Sequence, residues 1–179
     1  KKITSIILVC ISLFLPALAE IPTVPLSELK PDTKHKKAAE MITRIIENYH
    51  YKKKPLDDQL SSQMLDNYLK SLDQNHSFFI LQDIKEFEDY RYRLDNYLEK
   101  TNLFPAFVIF RRYRQRIDER VQYALELLKS DFDFSLNEEY QFDRRESDWA
   151  EDRLTLDELW RKRIKNDYLS LLLSDKEEP

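Results

Sequence analysis

Glycine is absent: none of the 179 residues is Gly. At ordinary usage of about 7%, a chain of this length would carry roughly a dozen. Glycine reaches positive φ without a Cβ clash and lets backbone approach a ligand closely. Its absence removes the Gly-rich turn that cradles phosphate, the dinucleotide fingerprint, the tight elbow that presents a nucleophilic serine, and hairpins of the Asn-Gly kind. Cysteine is nearly absent too, with Cys10 alone, and there are three histidines. A disulfide framework and a zinc ligand set are therefore both excluded. What remains points to helices joined by loops without glycine, and to chemistry performed elsewhere.

Long apolar runs are also scarce, and the one present opens the chain. Lys1 and Lys2 form a basic n-region, and Ile3 to Leu15 are apolar apart from Thr4, Ser5, Cys10 and Ser12. Pro16 and then Ala17-Leu18-Ala19 supply the A-x-A pattern that a signal peptidase reads. At about 13 residues the run is shorter than the roughly 20 that span a bilayer, so residues 1–19 are expected to be a cleaved signal peptide and not a stable membrane anchor. Cys10 is a poor lipoprotein site, because Val9 precedes it where a small residue is needed and it falls early in the run. The mature chain would then start at Glu20, with 160 residues and no cysteine, which fits a periplasmic location. Without Lys1 and Lys2, 27 basic residues face 33 acidic ones, a net charge of −6. That sign argues against a general binder of nucleic acid or anionic membrane.

Residues 20–31 carry Pro22, Pro25 and Pro31 and read as an extended leader. Asp32 or Thr33 can cap a first helix running to about His50, with Ala38, Met41, Ile42, Ile45, Ile46 and Tyr49 as its apolar stripe. Pro55 is expected to start a second helix with the stripe Leu56, Leu60, Met64, Tyr68 and Leu72. A turn at Asp73-Gln74-Asn75-His76-Ser77 leads to a third helix over 81–100 that buries Ile84, Phe87, Leu94 and Leu98. Asn102 and Pro105 open the longest helix, ending near Ser130, with Phe110, Tyr113, Ile117, Val121, Ala124 and Leu128 facing inward. Residues 131–148 lack a helical period and read as an irregular connection. Thr155 with Glu158 forms a capping-box pattern opening a last helix through Leu159, Trp160, Ile164, Tyr168 and Leu172. The expectation is an all-α, bundle-like domain of about five helices over residues 32–179.

No motif in this frame assembles an active site, and no residue is assigned a catalytic, cofactor-binding or metal role. Ser27-Glu28-Leu29-Lys30 matches Ser-x-x-Lys literally but lies in the proline-punctuated leader, without the helix that would bring the groups together. Glu47-x-x-His50 has the ligand spacing of di-iron bundles, which need two such motifs and two further carboxylates. His35 and His50 are fifteen residues apart, roughly 22 Å along a helix at 1.5 Å per residue, too far to share an ion. Arg111, Arg112, Arg114, Arg116 and Arg120, with Arg91 and Arg93, could contact phosphate; a solvated, ion-paired helix face is the favoured reading. Asp57-Asp58 and Glu138-Glu139 read as surface charge.

The stretch Tyr68-Leu69-Lys70-Ser71-Leu72-Asp73-Gln74-Asn75-His76-Ser77-Phe78-Phe79 is a structural corner on its own terms. Asp73, Asn75 and Ser77 can accept turn N–H groups, and two phenylalanines follow into the core. It also resembles the N-terminal helical segment of bacterial tail-specific proteases, the C-terminal processing peptidases. In these a helix ends in a Leu-Asp-Pro-like turn followed by Ser and two aromatics, and here Gln74 stands in place of the usual Pro. Thr33-Lys34-His35, Phe87-Glu88-Asp89-Tyr90 and the run from Glu158 through Leu159-Trp160 to Asp167 extend the similarity over roughly residues 24–175.

The resemblance implies a chain that continues into a PDZ module gripping the substrate's C-terminal tail, and into a protease core with a Ser nucleophile and a Lys base. Both surroundings are Gly-rich, and nothing in these residues is similar to either, so the sequence reads as truncated before its catalytic domains. The implied role is a non-catalytic scaffold that packs on the PDZ module and core, helps enclose protein substrates, and offers surface to an adaptor or a second protomer. A free-standing periplasmic helical binding module is the alternative. No nucleic acid and no cofactor enter either reading.

Overall fold

The computed structural model describes residues 24–49 and 55–174. The expected signal peptide at 1–19, His50 and Lys52 to Lys54 lie outside the described residues. Among the described residues six α-helices follow one another: α1 (Thr33–Tyr49), α2 (Asp58–Leu72), α3 (Leu81–Phe87), α4 (Leu94–Glu99), α5 (Phe104–Leu127) and α6 (Arg153–Ser174). Among the described residues there is no strand; one isolated parallel bridge joins Ile80 to Ala150, where Leu81 N–H donates to the Ala150 carbonyl at 2.8 Å. The all-α expectation holds.

Side-chain caps set several boundaries. The second helix starts at Asp58, not Pro55, because the Asp57 carboxylate accepts the Leu60 N–H at 2.8 Å and satisfies a first-turn donor. The last helix starts at Arg153, and Asp152 is its cap: its carboxylate takes both the N–H and the hydroxyl of Thr155, at 2.8 and 2.9 Å. Between Pro25 and Leu29 a single 3-10 turn forms at Leu26–Glu28, closed by Glu28 N–H to the Pro25 carbonyl.

The helix expected over 81–100 is broken into α3, a 3-10 turn at Glu88–Tyr90, and α4. The break is a tertiary effect. Arg93 leaves helical geometry at φ −137, and the Leu94 N–H it frees donates to the buried Ser61 hydroxyl of α2 at 2.8 Å. Arg91 is clamped at the bend by Glu88 and by Ser62 and Asp66 of α2. The next turn needs a left-handed residue, and Thr101 supplies it at φ 50. There Asn102 N–H reaches the Tyr97 carbonyl at 2.8 Å, closing α4 as glycine commonly would.

The core has two adjoining parts. Leu65 and Leu69 of α2, Phe79, Phe87 of α3 and Ile109 of α5 form one; Ile80, Ala150, and Leu156 and Trp160 of α6 form the other. Each such aliphatic or aromatic side chain, fully buried, contributes about 1.5–3 kcal/mol. The stripe expected on α2 is displaced by one position, so that Ser61, Leu65 and Leu69 point to the centre and Leu60, Met64 and Tyr68 flank it. On α5 the deepest residues are Pro105, Ile109 and Arg120, while Val121 and Leu128, expected inside, are 50% and 52% exposed. Among the described side chains of α1 only Ala39 is buried; Met41, Ile42 and Ile45 of the expected apolar stripe are exposed.

Candidate interaction surfaces

The corner after α2 is built by one carboxylate. Asp73, 2% exposed, accepts the N–H groups of Ser77, Phe78 and Phe79 at 2.8, 2.9 and 2.9 Å. This concentrates three donors of a tight turn on one acceptor pair, and frees Phe78 and Phe79 to enter different parts of the core. His76 occupies the left-handed region at φ 48, stacks on Trp149 with ring centroids 3.7 Å apart, and uses Nδ1 to donate to the Ser147 carbonyl. The Ser77 carbonyl accepts the Trp160 indole N–H at 2.6 Å. The turn therefore ties α2, the connection after α5, and α6 together, and its role in this geometry is structural.

Most arginines on α5 pair with carboxylates. Asp83 of α3 is fully buried and receives Arg112 and both Nε and Nη2 of Arg116, the latter two at 2.9 and 3.0 Å. Burial alone would raise the Asp83 carboxyl, but the hydrogen bonds from Arg116, the Ile80 N–H and Arg112 outweigh it and hold it below the usual range. Arg120, fully buried, pairs with Asp157 of α6 and lies over the Tyr123 ring at 5.1 Å. Arg114 reaches Asp118 at 3.6 Å, and Arg111 donates to the Leu29 carbonyl. The expected ion pairing of this stretch forms, but the Arg116 side chain is only 12% exposed and Arg120 is fully buried, so neither is solvated.

Two acidic pairs do more than decorate the surface. Asp57 caps α2. Glu138, in the connection, takes Arg161 and Lys165 of α6, with Lys165 Nζ at 2.5 Å. These bonds, Arg161 first and then Lys165, hold the Glu138 carboxyl at about 2. Lys165 is only 9% exposed and lies 5.8 Å from the Phe134 ring, so the connection is pinned along α6.

Ser27 and Lys30 are both exposed in the segment before α1. His50 and the Glu47 side chain lie outside the described residues, and among the described residues no group of three His, Cys, Asp or Glu could hold a metal ion. No described helix is long and apolar enough to cross a membrane. The structure leaves apolar area uncovered at the surface. Met41 and Ile42 on α1 are 65% and 57% exposed, and Leu171 and Leu173 near the end of α6 are 66% and 53% exposed.

The described residues form a helical unit held by a carboxylate-built corner and internal ion pairs, with apolar side chains exposed on α1 and α6. A family model described as the tail specific protease N-terminal domain matches residues 42–179, and the chain belongs to that family. The tail-specific protease of Haemophilus influenzae is 34% identical over 172 residues, which cover 94% of this chain and 25% of the relative. The chain thus spans about a quarter of the length of that curated relative.

Proposed function

We propose that this chain is the non-catalytic N-terminal scaffold of an exported, periplasmic serine protease of the tail-specific type. In this reading it packs against the PDZ module and the Ser-Lys protease core of the same polypeptide and helps enclose protein substrates degraded from their C-terminal tails. The observation that carries it is the leucine-rich end of α6, where Leu169, Leu171, Leu172 and Leu173 remain 39%, 66%, 37% and 53% exposed. Leucines exposed on several sides of one helix end would be covered by a partner surface. Family membership and the quarter-length match to a tail-specific protease support the identity of the partner surface.

The test is a comparison of residues 20–179 with the full-length polypeptide. The short form should give a helical circular dichroism spectrum and no turnover of a peptide with a nonpolar C-terminus, whereas the full-length form cleaves it. Turnover by residues 20–179 alone overturns the scaffold role.

A further inference from the structure

Most cavities in this domain are polar and already paired. The one beside His76 and Trp149, of about 480 Å³, holds Arg91 and Arg145 with their carboxylates in place. A smaller cavity of about 160 Å³ between α2, α4 and α5 is different. Its wall includes Met64 and Tyr68 from α2, Leu94 and Leu98 from α4, and Ala106 and Ile109 from α5. Most of these side chains are half-buried, so the cavity opens at the surface, while Ile109 forms a fully buried floor. Its polar groups are occupied: the Tyr68 hydroxyl donates to the Ala106 carbonyl at 3.1 Å, and the Asn102 carboxamide oxygen accepts the Phe104 N–H at 2.9 Å. Burial pushes the Tyr68 phenol up to about 12, so it stays neutral.

We propose that this cavity is a receptor for one compact apolar side chain, Leu- or Phe-sized, presented by a polypeptide substrate. A closed apolar cavity of about 150 Å³ takes up benzene; this one opens at the surface, so an apolar occupant displaces water from its apolar wall and gains dispersion contacts on its buried side. The volume admits a single side chain and excludes a helix face, and the wall gives a charged group nothing to pair with. An extended, unfolded chain presents single side chains in this way. The assignment rests on the substrate-enclosing reading above and adds to it a gripping point within the scaffold itself.

Benzene at saturation should raise the Tm of the full chain by several degrees, as any ligand of the native state does. Ala106→Leu fills the cavity from α5 and should abolish the rise; Met64→Phe fills it from α2 and serves if the first variant folds poorly. A labelled, unstructured Ser/Thr peptide carrying one Leu should bind about tenfold more tightly than the same peptide carrying Asp, and the filled variant should erase the difference. An unmoved Tm, or an equal rise in a folded, filled variant, overturns the site. Benzene uptake without the peptide preference overturns the polypeptide occupant, while the scaffold reading is judged separately by the peptidase comparison.

Discussion

Replacing Asp83 by Asn should damage this fold more than any other single loss of charge. The side chain is fully buried and accepts from Arg112, from Arg116 twice, and from the Ile80 N–H at 3.1 Å. Asparagine keeps one acceptor oxygen but turns an NH2 donor toward two guanidinium groups whose side chains are only 12% and 30% exposed. Each charge-assisted bond contributes about 1.5–3 kcal/mol, and breaking a buried pair so that cations are stranded costs about 3–5 kcal/mol. For a domain of this size that corresponds to a drop of roughly 10 °C in Tm. Acid provides an independent check. The folded carboxyl sits below its ordinary value of 3.8, so its stabilisation is complete above that value and is lost as pH falls through the folded pKa. Urea titrations of wild type and Asp83→Asn across pH 7 to 2, followed by circular dichroism, should show a large gap at neutral pH that narrows in acid. A loss under about 1 kcal/mol at pH 7, or a gap independent of pH, refutes the assignment.

Asp73→Ala strands three turn N–H groups and should cost about 3 kcal/mol in denaturant unfolding, whereas a change within ±0.5 kcal/mol would mean that the corner is held by something else. Thr101→Gly should raise stability by about 1 kcal/mol, because a β-branched residue at φ 50 carries left-handed strain that glycine lacks; destabilisation would contradict this. The Glu138 carboxyl should titrate at about 2 by NMR, with the contribution of its Arg161 and Lys165 pairs present above its ordinary value of 4.5 and lost as pH falls toward 2. A midpoint near 4.5 would show that the connection is not pinned to α6.

Sequence pattern recovered the helical class and the corner from local spacing, and the local Arg114–Asp118 and Arg116–Glu119 pairs of α5, but not its pairing with Asp83 and Asp157. The i, i+4 acids and the Asp73 turn chemistry need no tertiary knowledge. The break between α3 and α4 was not legible, since residues 88–93 contain neither Pro nor Gly. It is decided by Ser61 and Asp66, about 25 to 33 positions away in sequence. The apolar stripe of α1 was legible from spacing, but periodicity reports that a face is apolar and not what covers it, and Met41, Ile42 and Ile45 are exposed. Arg120 inverted the expectation altogether: a charged residue at the centre of the α5–α6 contact is fully buried because Asp157 and the Tyr123 ring receive it. The missing glycines are matched by only two left-handed residues among those described, His76 and Thr101. Helices whose C-termini close through backbone bonds from non-glycine residues, such as Asp73 N–H to Leu69 and Leu128 N–H to Ala124, make little demand on glycine.

The central claim is that the uncovered apolar end of α6 is a surface for the rest of a tail-specific protease. Hydrogen–deuterium exchange over residues 163–174, compared between residues 20–179 alone and the full-length enzyme, tests it most directly. The scaffold account predicts slow exchange in the full-length enzyme and at least tenfold faster exchange in the short form, with the α2–α3 corner unchanged. Equal exchange of this segment in the two forms would contradict it.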